Sequence, residues 1–342
     1  MSKISTGLLR VLFFILIPVG LATSVGFFLV RALVLPMDAG NSESIAVEIP
    51  VGSSFGEVVR LIEEKGVVRH GQSLKLLARL KGSPTDHILA GEYLLSPSME
   101  PREVLAKLLS GDVLKRVVTF KEGMSVTELG RLVEDAGLLS KAEIDAAIVN
   151  MRLLAAAGIS GASFEGYLFP ETYIFSRPVS AKDIIWKMLE EAEGRWTEEF
   201  GKQADALALS RPEVLTLASI IEKESGQKID QQPLISSVFH NRLKLGMKLE
   251  SDPTVLYGLT PTEQNMPWDQ KKKLPSPYNT YVHFNLPPGP ICNPGATAIK
   301  AALFPAESNY LFFVADGTGG HTFSATLAEH NAAVAKYLLA AP

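Results

Sequence analysis

The sequence predicts an α+β protein that begins with one transmembrane helix, and three observations support this prediction. Residues 11–30 form an apolar run without a charged residue. Residues 45–140 alternate short strand-like stretches with amphipathic helices that start at capping boxes. Residues 210–331 combine a long helical pattern with turn-rich loops and a strand-like segment. The length of 342 residues suits about two domains, so a small module is expected before a larger, mixed α+β domain.

Composition and charge argue against two classes of protein. The net charge of −4 offers no basic face of the kind that nucleic-acid binding requires, so no nucleic-acid partner is predicted. The basic run Lys271–Lys273 lies beside two prolines and is typical of a solvated loop. The single cysteine, Cys292, excludes an internal disulfide framework and is interpreted as a small packed side chain.

The apolar run at residues 11–30 is predicted to be an uncleaved signal-anchor in the lipid bilayer. Twenty residues at the helical rise reach about 30 Å, the thickness of the hydrocarbon core. Lys3 and Arg10 precede the run and Arg31 follows it, which is a weak positive-inside bias. We therefore expect residues 1–36 to be a short cytoplasmic tail and a single-pass anchor in the cytoplasmic (inner) membrane. Everything that follows is expected outside the cytoplasm.

Two segments after the anchor repeat each other at an offset of 71 residues, at 50–68 and 121–139. Each contains S-x-x-E, the pattern in which a serine caps a helix start and a glutamate reaches back to the serine N–H. A strand-like alternation precedes each segment, at residues 45–50 and 116–120, and a glycine suited to a left-handed helix stop ends each one. The shared residues are Gly52/Gly123, Ser54/Ser125, Glu57/Glu128, Arg60/Arg131, Leu61/Leu132, Glu63/Glu134 and Gly66/Gly137.

This strand–turn–helix order resembles the LysM module, a small fold that binds wall glycan. The resemblance implies a LysM-like module at residues 41–114 and a second strand–helix repeat at 115–140. Strand–turn–helix pairs are also common packing units, so both a glycan-binding and a purely structural role are open. Between the two repeats, residues 90–113 predict a strand, a Pro-marked turn and a helix that ends near Gly111.

A long helix is predicted from the sequence SRPEVLTLASIIEKESGQ, which starts at Ser210 with another capping box. Its apolar face is predicted to consist of Val214, Leu217, Ala218 and Ile221. Thr216, Ser219 and Lys223 are predicted to form a polar stripe. On the helical projection Glu222 falls at one edge of the apolar face and Glu224 at the opposite edge.

Either glutamate is a candidate general acid, because a carboxyl group against apolar neighbours is desolvated. Desolvation favours the protonated form, which a general acid needs near neutral pH. The helical geometry alone does not choose between Glu222 and Glu224. Either one is also compatible with a boundary surface residue that has no catalytic role.

A turn-rich stretch at residues 276–295 places Tyr278, Asn279 and Tyr281 close together. Tyrosine rings and amide groups beside a carboxyl group suit sugar recognition, because they offer flat apolar faces and hydrogen-bond donors. The alternative interpretation is a Pro-rich surface loop with half-buried tyrosines. Downstream, His321 and His330 flank a predicted turn-to-helix segment. Their spacing matches no usual metal-ligand pattern, so no metal site is predicted.

Several long motifs occur in one order and cover most of the chain. On these motifs the chain resembles the YceG-like family of endolytic peptidoglycan lytic transglycosylases. The motifs are EGYLFPETY (165–173), LASIIEKES (217–225), NRLKLGMKLESDPTVLYG (241–258), SPYNTY (276–281), LPPGPICNPG (286–295) and FVADGTGGHTFSATLAEHN (313–331). The resemblance implies a catalytic domain at residues 115–342, with its core at about 160–335.

The same resemblance implies roles for individual residues. Glu222, the first glutamate of EKES, would be the catalytic acid/base, and Glu224 would support it. One departure is Glu250, where the family pattern leads us to expect glutamine, and its carboxylate would raise the pKa of a neighbouring acid. The residues implied to contact the sugar are Tyr278, Asn279, Tyr281, Asn241, Asp252 and Thr254.

The implied reaction cleaves the β-1,4 bond between N-acetylmuramic acid and N-acetylglucosamine in peptidoglycan and leaves 1,6-anhydro-muramyl ends. It needs no metal or cofactor, and glycan polymerases (penicillin-binding proteins) are expected partners. Two alternatives remain open. One is a membrane-anchored wall-binding or scaffold protein, and the other is a muramidase that hydrolyses with Asp252 or Glu250 as its second carboxylate.

Overall fold

The computed structural model of the protein describes residues 6–82 and 88–339 and has the mixed α+β composition that the sequence predicts. The chain forms two compact units. The first runs to Arg116 and includes Phe175–Pro178, and the second comprises Val117–Ile174 and the chain from Val179 onward.

Helix α1 (Thr6–Leu33) is continuous and contains Pro18. Within it, the segment Phe13–Leu33 is long and apolar enough to cross a membrane, and no other helix in the described part of the chain passes this test of length and composition. At 1.5 Å per residue its 21 residues span about 31 Å, close to the thickness of a bilayer core. The helix is therefore compatible with the predicted single-pass anchor, whose orientation stays a prediction.

The rest of the first unit is an antiparallel strand pair packed against helices. Strand β1 pairs with β2 from Ile45 opposite Leu95 to Ile49 opposite Gly91. The predicted strand, turn and helix over residues 90–113 are confirmed, and the last of these helices ends at Gly111 with φ +66°. The elements are β1 (Ile45–Ile49), α2 (Phe55–Glu64), α3 (Gly71–Lys81), β2 (Gly91–Leu95) and α4 (Pro101–Ser110).

The second unit is mainly helical and has two short strand pairs, β3 with β4 and β5 with β6; the first residue of β3 and the last residue of β4 belong to the first unit. Its first elements are β3 (Arg116–Phe120), α5 (Val126–Asp135), α6 (Lys141–Ile148), α7 (Met151–Ala156), β4 (Glu171–Phe175), α8 (Ala181–Arg195), α9 (Glu198–Ala206) and α10 (Arg211–Ser225). They are followed by α11 (Gln232–Lys244), α12 (Asp252–Leu256), α13 (Pro261–Gln264), α14 (Trp268–Lys271), α15 (Ala296–Leu303), β5 (Phe312–Ala315), β6 (His321–Ser324) and α16 (Leu327–Val334).

The repeated helix starts form as predicted. In both α2 and α5 the capping serine N–H donates to the glutamate three residues later, at 2.8 Å for Ser54 and 2.8 Å for Ser125. Gly66 and Gly137, two residues beyond the last residues of these helices, have φ +72° and +67°. Glycine adopts this left-handed backbone without the steric cost of a Cβ, which explains its presence at both ends.

Helix α10 lies at the centre of the second unit, and the predicted polar stripe on it is wrong in two of three positions. Thr216 and Ser219 are buried, and only Lys223 is exposed. Apolar residues of α9, α11 and α15 pack around the helix in one cluster. The two hydroxyls are buried at little cost because each donates to a carbonyl within the helix, Thr216 to Pro212 at 2.8 Å and Ser219 to Thr216 at 2.7 Å.

The region around the two late histidines differs from the prediction. The glycine-rich stretch 316–320 forms a turn, with the Asp316 N–H donating to the Gly320 carbonyl at 2.9 Å. The residues after it form β6 before α16 begins, so the segment between His321 and His330 is a strand followed by a helix. The aromatic side chain in HTFS favours this strand, because it packs against β5.

Candidate active site

The Glu222 side chain lies near the C-terminal end of α10 and is only 8% exposed. Its Oε2 accepts a hydrogen bond of 3.0 Å from the backbone N–H of Gly295, the residue directly before α15. In the described residues no other group is hydrogen-bonded to this carboxyl. Oε1 therefore has no competing partner among the residues that the structure describes, which is the arrangement that proton exchange with a ligand requires.

The pKa of Glu222 is raised above its ordinary value. Burial is the main cause, and the negative charge of Glu122 adds to it. The Gly295 N–H and the Lys223 ammonium act in the opposite direction and lower the pKa. The balance favours the protonated form, as the sequence predicted for a carboxyl at the edge of an apolar helix face.

Glu122 is an exposed residue that the sequence did not identify as part of this site. It lies in the turn between β3 and α5, and its carboxyl covers Gly295 so closely that a Cβ at that position would collide with it. A side chain at position 295 would therefore displace the Glu122 carboxyl, and the N–H of Gly295 binds Glu222. A second carboxylate therefore faces the backbone that holds the first.

Glu224 lies at the opposite edge of α10 and has different neighbours. Its Oε1 accepts a hydrogen bond of 2.5 Å from the Ser251 hydroxyl, next to the start of α12. Burial raises the pKa of Glu224 to about 7, and the charge of Asp252 adds to this, while hydrogen bonds from Ser251 and the Asp252 backbone lower it. Two glutamates on one helix thus occupy two separate environments.

The predicted residues Asp252, Tyr281 and Glu250 belong to the Glu224 side of the helix. The Tyr281 hydroxyl donates to Asp252 at 2.6 Å, and the Glu250 carboxylate lies 3.2 Å from Arg242. Arg242 is buried, and it also donates to the carbonyls of three other residues. Those residues are Lys248, Leu249 and Leu311.

Three residues that were predicted to contact the sugar already have their polar groups hydrogen-bonded within the protein. Thr254 and Asn279 are fully buried. The Thr254 hydroxyl donates to the Ser251 carbonyl at 2.6 Å, and the Asn279 amide donates to the carbonyls of Lys272 and Leu274 at 3.1 and 2.8 Å. The Asn241 amide donates to the Ser308 and Tyr310 carbonyls. These residues hold loops in place, and a contact with sugar stays a prediction for each of them.

Tyr278 lies apart from Tyr281, with its ring 4.7 Å from the ring of Tyr257. The Tyr257 hydroxyl donates to Glu165 at 3.3 Å. Glu165, the first residue of EGYLFPETY, is 4% exposed and accepts further bonds from the Val126 N–H at 3.2 Å and the Asn293 amide at 2.8 Å. Glu165 was not predicted as a site residue from the sequence, although its position in this motif could have indicated it.

Asn293 connects the chain segments around Glu165 and Glu222. Its side-chain oxygen accepts from the N–H groups of Gly166 and Leu168, at 2.9 and 3.1 Å, and its amide donates to Glu165 and to the Met124 carbonyl. Its backbone also pairs with Gly123 and Met124 at 2.9 Å each. This fully buried residue stands two positions before Gly295 and therefore fixes the loop that binds Glu222.

Burial raises the pKa of Glu165 from 4.5 to about 7, although three hydrogen bonds favour its charged form. The folded protein therefore binds one more proton than the unfolded chain between about pH 4.5 and 7, so the free energy of unfolding falls as pH rises through this window. At about 1.4 kcal/mol per pKa unit the loss is about 3 kcal/mol. We expect Glu165→Gln to remove this part of the pH dependence, measured by urea unfolding of the detergent-solubilised chain from pH 4.5 to 8.

The exposed Glu199→Gln is the matched control and should leave the wild-type pH dependence unchanged. A Glu165→Gln protein whose unfolding free energy falls with pH as steeply as that of the wild type would show that Glu165 does not hold this proton. Glu224 also has a pKa of about 7 and acts with the same sign, so some decrease remains in both variants.

In the described part of the chain no three His, Cys, Asp or Glu side chains come together as metal ligands. His321 Nδ1 lies 3.0 Å from the Gln231 side-chain oxygen, which accepts from it, and the ring of His330 stacks on Phe312 at 5.2 Å. Cys292 is a buried, free thiol, as its interpretation as a packed side chain predicts.

Comparison with known proteins identifies the family. The YceG-like family model matches residues 47–336, which is most of the chain. The chain belongs to the YceG-like family. The resemblance found in the sequence motifs is thereby confirmed. Within this YceG-like protein, the match extends over the strands and helices of the first unit that follow α1 as well as over the second unit.

Curated relatives of this YceG-like protein carry one name. A Bacillus subtilis protein called endolytic murein transglycosylase is 32% identical over 324 residues, 90% of this chain and 89% of the relative. A Streptococcus pneumoniae protein of the same name is 30% identical over 344 residues, and the match spans 92% of this chain and 62% of that relative. The crystal structure of a YceG-like protein from Listeria monocytogenes matches with a TM-score of 0.58 and 32% identity, over 85% of this chain and 98% of that one.

Proposed function

We propose that this protein cuts the glycan strands of peptidoglycan at the β-1,4 bond between N-acetylmuramic acid and N-acetylglucosamine, and that it leaves 1,6-anhydro-muramyl ends. Membership of the YceG-like family and the shared name of the relatives support the coarser statement, that it is a peptidoglycan lytic transglycosylase. The observation that carries the finer proposal is the buried Glu222 carboxyl, held through one oxygen by Gly295.

In the proposed mechanism Glu222 serves as acid and then as base. Its carboxyl proton passes to the glycosidic oxygen as the bond from muramyl C1 to that oxygen breaks. The resulting carboxylate takes the proton of the muramyl 6-hydroxyl, whose oxygen bonds to C1 and closes the anhydro ring. Glu222 ends protonated, and no water is consumed. One carboxyl group is sufficient because the substrate supplies its own nucleophile, which gains from proximity.

The raised pKa of Glu222 supports the acid role, since the group must hold its proton before the reaction. The Gly295 N–H supports the base role, because a donor to Oε2 stabilises the carboxylate that forms midway. The two candidate second carboxylates of a muramidase, Asp252 and Glu250, are engaged with Tyr281 and Arg242 on the Glu224 side of α10. This placement favours transglycosylation over hydrolysis.

The reaction is tested by digesting peptidoglycan with the detergent-solubilised chain in ¹⁸O-labelled water and reading the new chain ends by mass spectrometry. We expect anhydro-muramyl ends that contain no ¹⁸O, because the 6-hydroxyl and not water attacks C1. Reducing ends that carry ¹⁸O would instead establish a muramidase. A bound but uncut glycan would favour a scaffold.

We further propose that the chain is held in the cytoplasmic membrane by α1, with residues after about 36 outside the cytoplasm. The apolar segment Phe13–Leu33 supports the anchor, and the positive charges before it support the orientation. This location places the site on the side of the membrane where peptidoglycan lies, near the polymerases that make its strands. Cleavage of the C-terminal part by a protease added to spheroplasts tests it, since a cytoplasmic site would be protected.

We also propose that the first unit is LysM-like and contacts glycan. The order β1, α2, α3, β2 supports this, as does a hollow of about 360 Å³ at the turn between β1 and α2, lined by Gly52, Arg60 and Leu61 among others. Sedimentation of the full chain with insoluble peptidoglycan, with and without Arg60→Glu, separates glycan contact from a purely structural role. Equal sedimentation of the wild type and Arg60→Glu would indicate that this unit has only a structural role.

A further inference from the structure

A cavity of about 540 Å³ in the second unit has no role in the chemistry described above. Its volume lies within the range of ordinary ligand pockets. Its wall includes Pro294 and Ala296, the residues on either side of Gly295, and also Glu165 and Tyr278. The loop that binds the Glu222 carboxyl therefore also forms part of this cavity.

Arg211 on the cavity wall has an unused hydrogen-bond donor. One of its terminal nitrogens lies 2.7 Å from Glu193, and its guanidinium carbon lies 4.8 Å from the ring centroid of Trp196. Its Nε is buried and has no acceptor among the described residues. A buried donor without a partner costs free energy that a bound acceptor would recover, and a carboxylate gives the strongest such bond.

The remaining walls of the cavity are mostly apolar. They include the side chains of Ala157, Ala162, Leu215 and Ile299 and the rings of Trp196 and Phe200. A sugar ring would leave many hydroxyls without partners on such walls. A short peptide with small apolar side chains and one carboxylate matches both the walls and Arg211.

We propose that this cavity binds the short acidic peptide carried by a muramic acid residue next to the bond that is cut. Its small apolar side chains contact the apolar wall, and its carboxylate accepts from Arg211 Nε. This rests on the proposed function, because that function supplies a substrate with such peptides. Pro294 and Ala296 line the cavity and the N–H of Gly295 between them binds Glu222, so the peptide and the Glu222 carboxyl contact one segment.

Binding is tested by titrating the full, detergent-solubilised chain with N-acetylmuramyl-L-alanyl-D-isoglutamine in a calorimeter. We expect binding that Arg211→Met weakens at least tenfold and that the exposed Arg131→Met, outside the cavity, leaves unchanged. N-acetylmuramic acid without peptide should bind at least tenfold more weakly. Equal affinity for the two ligands, or an unaffected Arg211→Met, would overturn the proposal.

Because Arg211 also stacks on Trp196, its variant is checked for a wild-type melting temperature. Ala192→Trp, which fills the cavity from α8, is the second variant and should abolish dipeptide binding. Binding that survives in a folded Ala192→Trp protein counts against the cavity, whatever Arg211→Met does.

Cleavage kinetics separate this proposal from the proposed function. On intact strands Arg211→Met should raise KM about tenfold, and on strands stripped of peptides by an amidase it should change nothing. If both proteins form anhydro ends and KM is the same for intact and for stripped strands in each, the proposal that the cavity binds the peptide is wrong. The proposed reaction would still hold. No cleavage of either substrate would overturn the reaction, while the dipeptide titration still decides the cavity.

Discussion

Glu222→Gln is expected to lower kcat for peptidoglycan cleavage by about 10³-fold, the largest catalytic effect we expect from any single substitution in this protein. Glutamine keeps the size of the side chain and can still accept the Gly295 N–H, but it has no proton to give to the glycosidic oxygen. KM should change little, because the shape of the site is kept. The measurement is the rate of formation of anhydro-muramyl ends by the detergent-solubilised chain.

Glu224→Gln is the matched comparison, since the two residues are on one helix and both carry a raised pKa. Its glutamine oxygen can still accept the Ser251 hydroxyl, so we expect kcat to fall less than about tenfold. If instead Glu224→Gln stops the reaction and Glu222→Gln spares it, the assignment of the acid is reversed. Glu198→Gln, at an exposed position on α9, is the control for a Glu→Gln substitution outside the site, and its kcat should equal that of the wild type.

The pH dependence of the wild type gives an independent check on the same residue. The proton on Glu222 is required, so activity should be present below its raised pKa and should be lost as pH rises through it. Glu122→Gln removes a negative charge that raises this pKa, so the alkaline limb of the profile should move to lower pH. A limb that stays in place would show that Glu122 has no electrostatic influence on the acid.

Features of the fold that depend on neighbours in sequence were predictable. A capping box joins residues three positions apart, so the pairs at Ser54 and Ser125 could be predicted from the sequence alone and are present in the structure. The edge position of Glu222 followed from the helical period, and its burial agrees with that position. The placement of Thr216 and Ser219 failed because periodicity describes the polarity of a helix face and not how many elements surround the helix.

Features of the site that depend on distant parts of the chain were not predictable. Glu165 and Asn293 are 128 positions apart in sequence, yet the amide of one donates to the carboxyl of the other. Glu122 reaches Gly295 across a still longer separation. The helical and strand periods describe only residues that are close in sequence, so they do not predict these long-range contacts. The motifs that contain Glu165, Asn293 and Gly295 indicated that these segments belong to the site but not which residues they contact. The helical period placed Glu222 and Glu224 at opposite edges of α10, but it did not identify their partners, Gly295 and Ser251, which depend on tertiary packing.

The second large effect is expected at Asn293, where Asn293→Ala should lower the free energy of unfolding by about 3 kcal/mol or more. The substitution leaves the Gly166 and Leu168 N–H groups without acceptors in a buried site, and each such group costs about 1–3 kcal/mol. Glu165 loses a donor as well. Urea unfolding at constant pH measures the effect. The control is Asn265→Ala, at an exposed position directly after α13, and its free energy of unfolding should stay within about 0.5 kcal/mol of the wild-type value.

Asn293→Asp separates a positioning role from stability alone. Aspartate can still accept from Gly166 and Leu168, but it cannot donate, and its carboxyl faces Glu165. The two carboxyls then share one proton, so this variant should lose both stability and activity more steeply than the wild type as pH rises. Where the variant is still folded, a lower kcat with unchanged KM would mean that Asn293 acts by holding the Gly295 N–H on Glu222. A folded variant with wild-type kcat would mean that this loop is held by its other contacts, and that Asn293 contributes to stability only.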